Sequence, residues 1–220
     1  MRSLSAEFAE APVPSPAARA VTFVADDDPD AELVARWLSG DDEAFARLVR
    51  GHEQAVFRLL YRMLGSREEA EDASQEAFLS LHRHGRRFRR EARFSTFLYR
   101  VAANAALNRR RSLGRARRRT RELALSQATG ADLPAAPRDP EDAAQGGEVQ
   151  LQVQQALQEL PEDLRVAVVL YDIEGQSYRD IAEILEIPEG TVKSRIHRAR
   201  QGLRELLQPV VGTPSAGEEP

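Results

Sequence analysis

The sequence contains no cysteine, and among its 31 basic residues only Lys193 is a lysine. The absence of cysteine excludes disulfide bonds, thiolate zinc sites, iron–sulfur clusters and a catalytic thiol. Long apolar runs are also missing, since no stretch approaches the roughly 18 apolar residues that a membrane helix requires. No apolar segment follows the first residues, so a signal peptide is not expected. These absences favour a cytoplasmic protein that is not inserted into a membrane.

Charge is distributed unevenly along the chain, whose formal net charge is −4. Residues 81–121 carry 15 arginines and one acidic residue, whereas residues 1–30 and 122–148 carry six acidic residues each. Like charges at this density repel one another and are stabilised by solvent or by a polyanion. The distribution therefore indicates a nucleic-acid partner, although the net charge alone would argue against one.

Helical periodicity accounts for most of the chain and no strand pattern is present. The predicted fold class is all-α, with two small helical domains joined by a flexible acidic linker. The expected order is a disordered tail at 1–29, a first domain at 30–111, the linker at 112–148, a second domain at 149–208 and a C-terminal tail at 209–220.

Apolar period and capping residues predict eight helices. In the first domain a helix begins near Asp30, others cover about 42–64, 66–84 and 95–111, and a loop covers 83–94. In the second domain they cover about 149–159, 161–173, 177–186 and 189–207. The predicted buried stripe of the helix at 95–111 consists of Phe97, Leu98, Val101, Ala102 and Ala105.

The last two predicted helices have the pattern of a helix–turn–helix. Ser177 and Asp180 form a capping box, and the sequence IPEG at 187–190 supplies the break. In the second helix an apolar stripe recurs at steps of four and three and is predicted to pack against the first helix. The stripe consists of Val192, Ile196, Ala199, Leu203 and Leu206.

The opposite face of that second helix carries candidates for contacts with base edges in the DNA major groove. These are Lys193, Ser194, His197 and Arg198, with Thr191 near the start of the helix. Arg195, Arg200 and Arg204 flank the face and suit phosphates. The alternative interpretation is a basic, solvated face on a helix with a structural role.

Aromatic residues alternate with arginines between positions 85 and 111, a combination that suits stacking on unpaired bases of single-stranded DNA. The candidate residues are Phe88, Arg89, Phe94, Thr96, Phe97, Tyr99, Asn104 and Asn108. For Phe97 a core position is favoured because it lies on the predicted stripe, whereas for Phe88 and Phe94 a core and a DNA role are equally compatible. Asn104 and Asn108 either donate to base edges or face water.

Three segments resemble bacterial RNA polymerase sigma factors of the extracytoplasmic-function (ECF) type. They are EDASQEAFLSLHR at 71–83, ARFSTFLYRVAANAALN at 92–108, and the stretch from LPEDLR to RARQGL at 160–203. The resemblance implies a sigma two and a sigma four domain, and a linker that threads through the polymerase. It implies promoter-specific initiation of transcription, of the stress or envelope-response kind.

The resemblance also implies partners and roles for individual residues. Asp72, Gln75, Glu76 and Phe78 would dock on the clamp helices of the largest subunit of core RNA polymerase. The segment from Phe88 to Asn108 would recognise and open the minus-ten element of promoter DNA. Lys193, Ser194, His197 and Arg198 would read the minus-thirty-five element. An anti-sigma factor is a further implied partner, and no cofactor or metal is expected.

Two other classes of function are compatible with parts of the sequence. A stand-alone helix–turn–helix activator with an N-terminal sensory bundle would explain 160–207 but not the arginine–aromatic segment. An enzyme is a weaker interpretation, because HEQAV at 52–56 lacks the second histidine of the zinc-protease helix and no nucleophile–base set is present.

Overall fold

The computed structural model describes residues 28–85, 92–126 and 147–211, and every element of regular structure in these ranges is helical. The helices are α1 (Ala31–Leu38), α2 (Asp42–Leu64), α3 (Arg67–His84), α4 (Phe94–Ser126), α5 (Glu148–Glu159), α6 (Glu162–Val168), α7 (Tyr178–Leu185) and α8 (Glu189–Val211). A short π-helical segment, Val169–Ile173, continues α6. The predicted all-α class is confirmed. No helix in these ranges is both long enough and apolar enough to cross a bilayer.

Capping residues set the predicted helix ends. The side chain of Asp41 accepts a hydrogen bond of 3.1 Å from the Ala44 amide, and Gly65 ends α2 in the left-handed region with φ 75°. Ser66 Oγ accepts from the Glu69 amide at 3.4 Å and starts α3. Ser177 Oγ accepts from the Asp180 amide at 3.1 Å and starts α7. These side chains satisfy amides that have no partner within the helix, so the boundaries could be located from sequence.

Helix α4 differs from its prediction in length and in its buried face. It begins at Phe94, so Phe94 is not in a loop, and it ends at Ser126, fifteen residues beyond the predicted end at 111. Part of the predicted linker is therefore helical. Residues 1–27 of the tail predicted at 1–29, residues 127–146 and residues 212–220 lie outside the described ranges. The buried residues of α4 are Phe94, Thr96, Leu98, Tyr99, Ala102, Ala103 and Ala106.

The predicted stripe on α4 was right for Leu98 and Ala102 and wrong for Phe97, Val101 and Ala105, which are only partly buried. The sequence VAANAAL offers apolar side chains on most of the helix circumference, so the period alone did not fix which side faces the core.

Helices α1 to α4 form an N-terminal unit (28–126) around a common apolar core. Trp37 lies at its edge against Phe45 and Phe94, with ring centroids 5.0 and 6.3 Å apart. Gly85 follows α3 directly beneath the Trp37 ring. A Cβ atom at position 85 would lie 1.8 Å from the nearest ring carbon. The close approach of chain and ring therefore requires glycine here.

Helices α5 to α8 form a C-terminal unit (147–211) that packs against α2 and α4 of the N-terminal unit. Glu174, whose side chain is 1% exposed, is the polar centre of this interface. It accepts hydrogen bonds from Arg58 at 3.3 and 3.2 Å and from the Tyr99 hydroxyl at 3.0 Å. A buried carboxylate needs such donors, so this cluster favours one arrangement of the two units.

Arg165 lies fully buried beside the same interface. Its guanidinium donates to the backbone oxygens of Met63 (2.9 Å), Gln158 (2.6 Å) and Leu160 (2.8 Å), and to Oε1 of Gln158 (3.0 Å). The three carbonyls lie at or next to the C-terminal ends of α2 and α5, where the helix dipole concentrates negative charge. Helix ends therefore stabilise this cation, since no carboxylate in the described ranges pairs with it.

Candidate nucleic-acid interface

Helix α8 presents the predicted DNA-reading face to solvent. Val192, Ile196 and Ala199 are at most 2% exposed and seat the helix against the rest of the C-terminal unit. On the opposite side Lys193, Ser194, His197 and Arg198 are exposed, with Thr191 and Arg195 half-buried at the edge. The predicted orientation of α8 is confirmed except at Leu206, which is 41% exposed and does not continue the stripe.

Carboxylates hold two of the arginines that flank this face. Arg195 Nε lies 3.4 Å from Asp163 Oδ2. Arg200 pairs side-on with Asp172, through Nε at 2.9 Å and through Nη2. The hydrogen bonds that Arg200 donates to this carboxylate raise the pKa of Arg200 above its ordinary value. Arg198 forms no ion pair within the described ranges. The flanks are thus fixed, while Arg198 is available to a ligand.

A pair of tyrosines lies against one flank of α8. The rings of Tyr171 and Tyr178 stack with centroids 4.7 Å apart and an interplanar angle of 11°. Lys193 Nζ lies over the Tyr178 ring at 5.4 Å from its centroid, and Arg200 Cζ lies over the Tyr171 ring at 5.2 Å. The neighbouring Tyr178 hydroxyl raises the pKa of Tyr171 above its ordinary value. The sequence analysis did not identify this pair.

The predicted minus-ten residues differ in their exposure to solvent. Phe88 and Arg89 lie outside the described ranges. Phe94 is fully buried, with its ring 5.4 Å from that of His52, and belongs to the core rather than to a DNA-contacting loop. Asn104 and Asn108 are exposed one helical turn apart, and Phe97 is half-buried under the Arg100 guanidinium at 5.3 Å.

Thr96 and Tyr99 are 3% and 7% exposed, so neither is open to a base in this arrangement. Burial raises the pKa of Tyr99, and the charge of Glu174 raises it further. Both effects keep the hydroxyl protonated, as its role as a donor to Glu174 requires.

The predicted polymerase-contacting residues lie on α3. Asp72, Gln75 and Glu76 are exposed on one face, and Arg109 Nη2 of α4 lies 3.0 Å from Asp72 Oδ2. Phe78, in contrast, is partly buried against the core. The apolar side chain that this face does present is Leu79, which is 55% exposed.

The residues Asp72, Gln75, Glu76 and Leu79 line a shallow groove of about 460 Å³. The spacing could have identified Leu79, which follows Gln75 by four residues and Glu76 by three and so shares their face. No cluster of three or more possible metal ligands occurs in the part of the chain that the structure describes.

Comparisons with known proteins agree with this arrangement. The family model of Sigma-70 region 2 matches residues 48–116, and that of Sigma-70, region 4 matches residues 150–203. The chain is 39% identical over 185 residues to the RNA polymerase sigma-H factor of Pseudomonas aeruginosa, covering 83% of this chain and 95% of that protein. It is 39% identical over 171 residues to the ECF RNA polymerase sigma factor SigW of Bacillus subtilis, covering 77% and 91%.

Solved structures show a similar fold. CnrH, in complex with the cytosolic domain of CnrY, aligns with a TM-score of 0.63 at 23% identity over 83% of this chain and 99% of that one. The sigma factor RpoE of Bartonella quintana, in complex with the anti-sigma factor NepR, aligns with a TM-score of 0.55 at 26% identity over 74% and 96%. The alternative of a stand-alone activator is not favoured. The chain belongs to the extracytoplasmic-function family of RNA polymerase sigma factors.

Proposed function

We propose that this sigma factor reads the minus-thirty-five element with α8 and the minus-ten element with α4, while the polymerase performs the catalysis. The observation that carries the proposal is the exposed, acid-free face of α8. This face carries Lys193, Ser194, His197 and Arg198, whose side chains can donate hydrogen bonds in a major groove. The N-terminal half of a recognition helix is the part that enters the groove. The division into sigma two at 30–111 and sigma four at 149–208 follows the same assignment.

Arg198 is the strongest candidate for a base contact. It forms no ion pair within the described ranges, so its five N–H donors are available without breaking an existing contact. A bidentate contact from arginine to guanine is worth about 1–3 kcal/mol of discrimination. Arg195 and Arg200, held by their carboxylates, suit the phosphates on either side.

On the N-terminal unit, Asn104 and Asn108 lie on the open face of α4 and Phe97 offers part of a ring to a base. Phe88 and Arg89 complete this surface in the proposal. Tyr99, whose hydroxyl contacts Glu174, becomes accessible only if the C-terminal unit leaves α4. The arrangement described above is therefore a closed one, and the two units separate before Tyr99 meets unpaired DNA. Free protein is accordingly expected to bind promoter duplex poorly.

The groove on α3 is the proposed docking site for the clamp helices of the polymerase. Asp72, Gln75 and Glu76 supply polar contacts, and Leu79 supplies an apolar contact. Leu79→Asp should weaken binding of core polymerase at least tenfold, because an apolar contact is replaced by a charge. Leu206→Asp, at a similarly exposed leucine of α8, is the control. Equal binding by both variants in a pull-down titration would remove α3 from the proposal.

The structure of the Bartonella quintana relative with NepR supports an anti-sigma factor as a further partner of this chain. We place the protein in the cytoplasm, where polymerase and promoter are found. Neither a cofactor nor a metal is needed for these roles, since binding energy alone selects the promoter and captures the open strand.

Transcription in vitro with core polymerase tests the proposal. On templates whose upstream element is varied, Arg198→Ala should lower promoter use about tenfold on the preferred sequence and have little effect when that sequence is scrambled. Arg50→Ala is the control, since Arg50 lies on α2 and pairs with Glu43. An unchanged promoter profile with Arg198→Ala would remove α8 as the reader. If the wild-type protein leaves the choice of start site by core polymerase unchanged, the function itself is wrong.

A further inference from the structure

Two cations on one flank of α8 lie over the same pair of stacked rings. Lys193 lies over Tyr178 and Arg200 over Tyr171, while the rings contact each other at 4.7 Å. Seven residues, or about two turns and 10 Å of helix axis, separate the cations. Tyr171 belongs to the π-helical segment and Tyr178 starts α7, so the rings come from outside the helix whose cations they contact.

The contacts restrict side chains that would otherwise be mobile. Both cations are exposed, and a long basic side chain in water loses much rotamer freedom when it is held in one geometry. The face of an aromatic ring attracts a cation and limits where it can lie. Asp172 restricts Arg200 further by pairing with Nε and Nη2, which leaves both N–H groups of Nη1 for another acceptor.

The open side of this flank carries hydrogen-bond donors, and the Asp172 carboxylate paired with Arg200 is the negative charge beside it. A depression of about 270 Å³ is lined by His197, Arg200, Gln201 and Arg204, all of which can donate hydrogen bonds and none of which carries negative charge. One strand of B-DNA presents a phosphate about every 3.4 Å along the helix axis, so two cations about 10 Å apart meet different phosphates.

We propose that Tyr171 and Tyr178 are positioning residues, which hold Arg200 and Lys193 in place for separate backbone phosphates beside the upstream element. Lys193, a candidate for a base edge from the sequence, is thereby assigned to the DNA backbone. The tyrosines act through the two cations and do not themselves touch DNA. This inference rests on the proposed function of α8 as the promoter reader, and it adds an account of how the register of that helix on the duplex is fixed. Phosphate contacts position a protein on DNA, whereas base contacts specify the sequence.

The test measures the affinity of holoenzyme for a promoter duplex as a function of salt concentration. Lys193→Ala should reduce the slope of log affinity against log salt by about 0.9, the value for one released counterion. Tyr178→Leu should reduce the slope similarly and weaken binding about threefold to tenfold. Tyr178→Phe keeps the ring and should retain binding. The double variant Tyr178→Leu/Lys193→Ala should bind no more weakly than Lys193→Ala alone.

If Tyr178→Leu does not fold, the same single and double variants made with Tyr171→Leu and Arg200→Ala provide a second measurement. The control is Phe57→Leu, which disrupts a similar ring pair in the N-terminal unit, where Phe57 and Tyr61 stack at 6.1 Å and Arg67 lies over Phe57 at 5.8 Å. It should leave the salt slope unchanged. A purely structural role of the tyrosines would lower thermal stability without changing the slope.

The outcomes separate the two proposals. One outcome is that Arg198→Ala lowers use of the upstream element while the losses of affinity of the tyrosine and cation variants multiply in the double variant. In that case the positioning role is wrong and the function of α8 stands. If Lys193→Ala leaves the salt slope unchanged, the positioning role is also wrong. If Arg198→Ala leaves use of the element unchanged, α8 does not read the promoter and both proposals fail.

Discussion

The Tyr99 hydroxyl donates a hydrogen bond of 3.0 Å to Glu174, and this contact joins the helix proposed to read the minus-ten element to the unit proposed to read the minus-thirty-five element. Arg58 contacts the same carboxylate from α2. A single buried acidic side chain of the C-terminal unit therefore covers part of the proposed single-strand surface. Substitution of Glu174 therefore tests how the two units are held together.

Glu174→Gln should loosen the interface between the units. The amide keeps the shape of the side chain but lacks the charge, and hydrogen bonds to charged groups contribute about 1.5–3 kcal/mol compared with about 1 kcal/mol for neutral ones. The expected result is a larger radius of gyration for the free protein in small-angle X-ray scattering. Glu205→Gln, at an exposed glutamate of α8, is the control. If both variants scatter like the parent, Glu174 does not govern the association.

Arg165→Met should destabilise the protein by about 3 kcal/mol or more. The variant loses the hydrogen bonds to the Met63, Gln158 and Leu160 carbonyls and leaves these acceptors buried without that donor. Arg165→Lys should recover little of the loss, because an ammonium group cannot reproduce the planar fork of donors. Urea unfolding measures the effect, with exposed Arg204→Met as the control. A loss below 1 kcal/mol would show that the buried cation is not needed for stability.

Substitution of two glycines by alanine should have opposite effects on stability. At Gly85 the new Cβ would lie 1.8 Å from a ring carbon of the buried Trp37, so Gly85→Ala should displace the ring and cost several kcal/mol. At Gly114, inside α4, the new Cβ meets nothing within 4 Å, and Gly114→Ala should stabilise by about 0.5–1 kcal/mol. Trp37 is the only tryptophan in the chain, so its fluorescence emission reports the displacement directly. Unchanged emission and stability in Gly85→Ala would contradict the close approach.

The free energy of unfolding depends on pH through the carboxyl group of Glu183. Burial raises the pKa of its carboxyl above the ordinary 4.5, Arg100 opposes the shift and Asp180 adds to it. A carboxyl with a raised pKa favours the folded state when protonated, so its contribution is present below pH 4.5 and is lost as pH rises through the folded-state pKa. Glu183→Gln should therefore be more stable than the parent at pH 7, with the difference shrinking as pH falls towards 4.5. Urea unfolding across this range tests the sign, and a variant less stable at pH 7 would contradict it.

Much of the architecture could be predicted from sequence because its signals are local. The bounds of α2 follow from Asp41 and Gly65, and the exposed face of α8 follows from the spacing of Val192, Ile196 and Ala199. The stripe of α4 could be predicted only at Leu98 and Ala102, since the run of alanines places apolar side chains on most of the helix circumference.

The contacts between the two units were also beyond sequence reasoning. Arg165 reads as a surface arginine, and nothing near it in the chain indicates that the end of α2, 102 residues away, supplies one of its acceptors. The same holds for Glu174 and Tyr99, which are 75 residues apart. Such pairs depend on how α5 to α8 dock on the N-terminal unit, and no local pattern encodes that docking.

The Met63 carbonyl accepts hydrogen bonds from both sides of the interface, from Arg110 of its own unit at 3.0 Å and from Arg165 of the other at 2.9 Å. When the units part, Arg110 stays with that oxygen, and Arg165 retains the carbonyls of Gln158 and Leu160. Neither group is left unpaired, so separation of the units at this point breaks one hydrogen bond and leaves each group with another partner. Opening of the closed form is therefore not opposed at this carbonyl, and the cost of separating the units lies instead with Glu174 and its donors Arg58 and Tyr99.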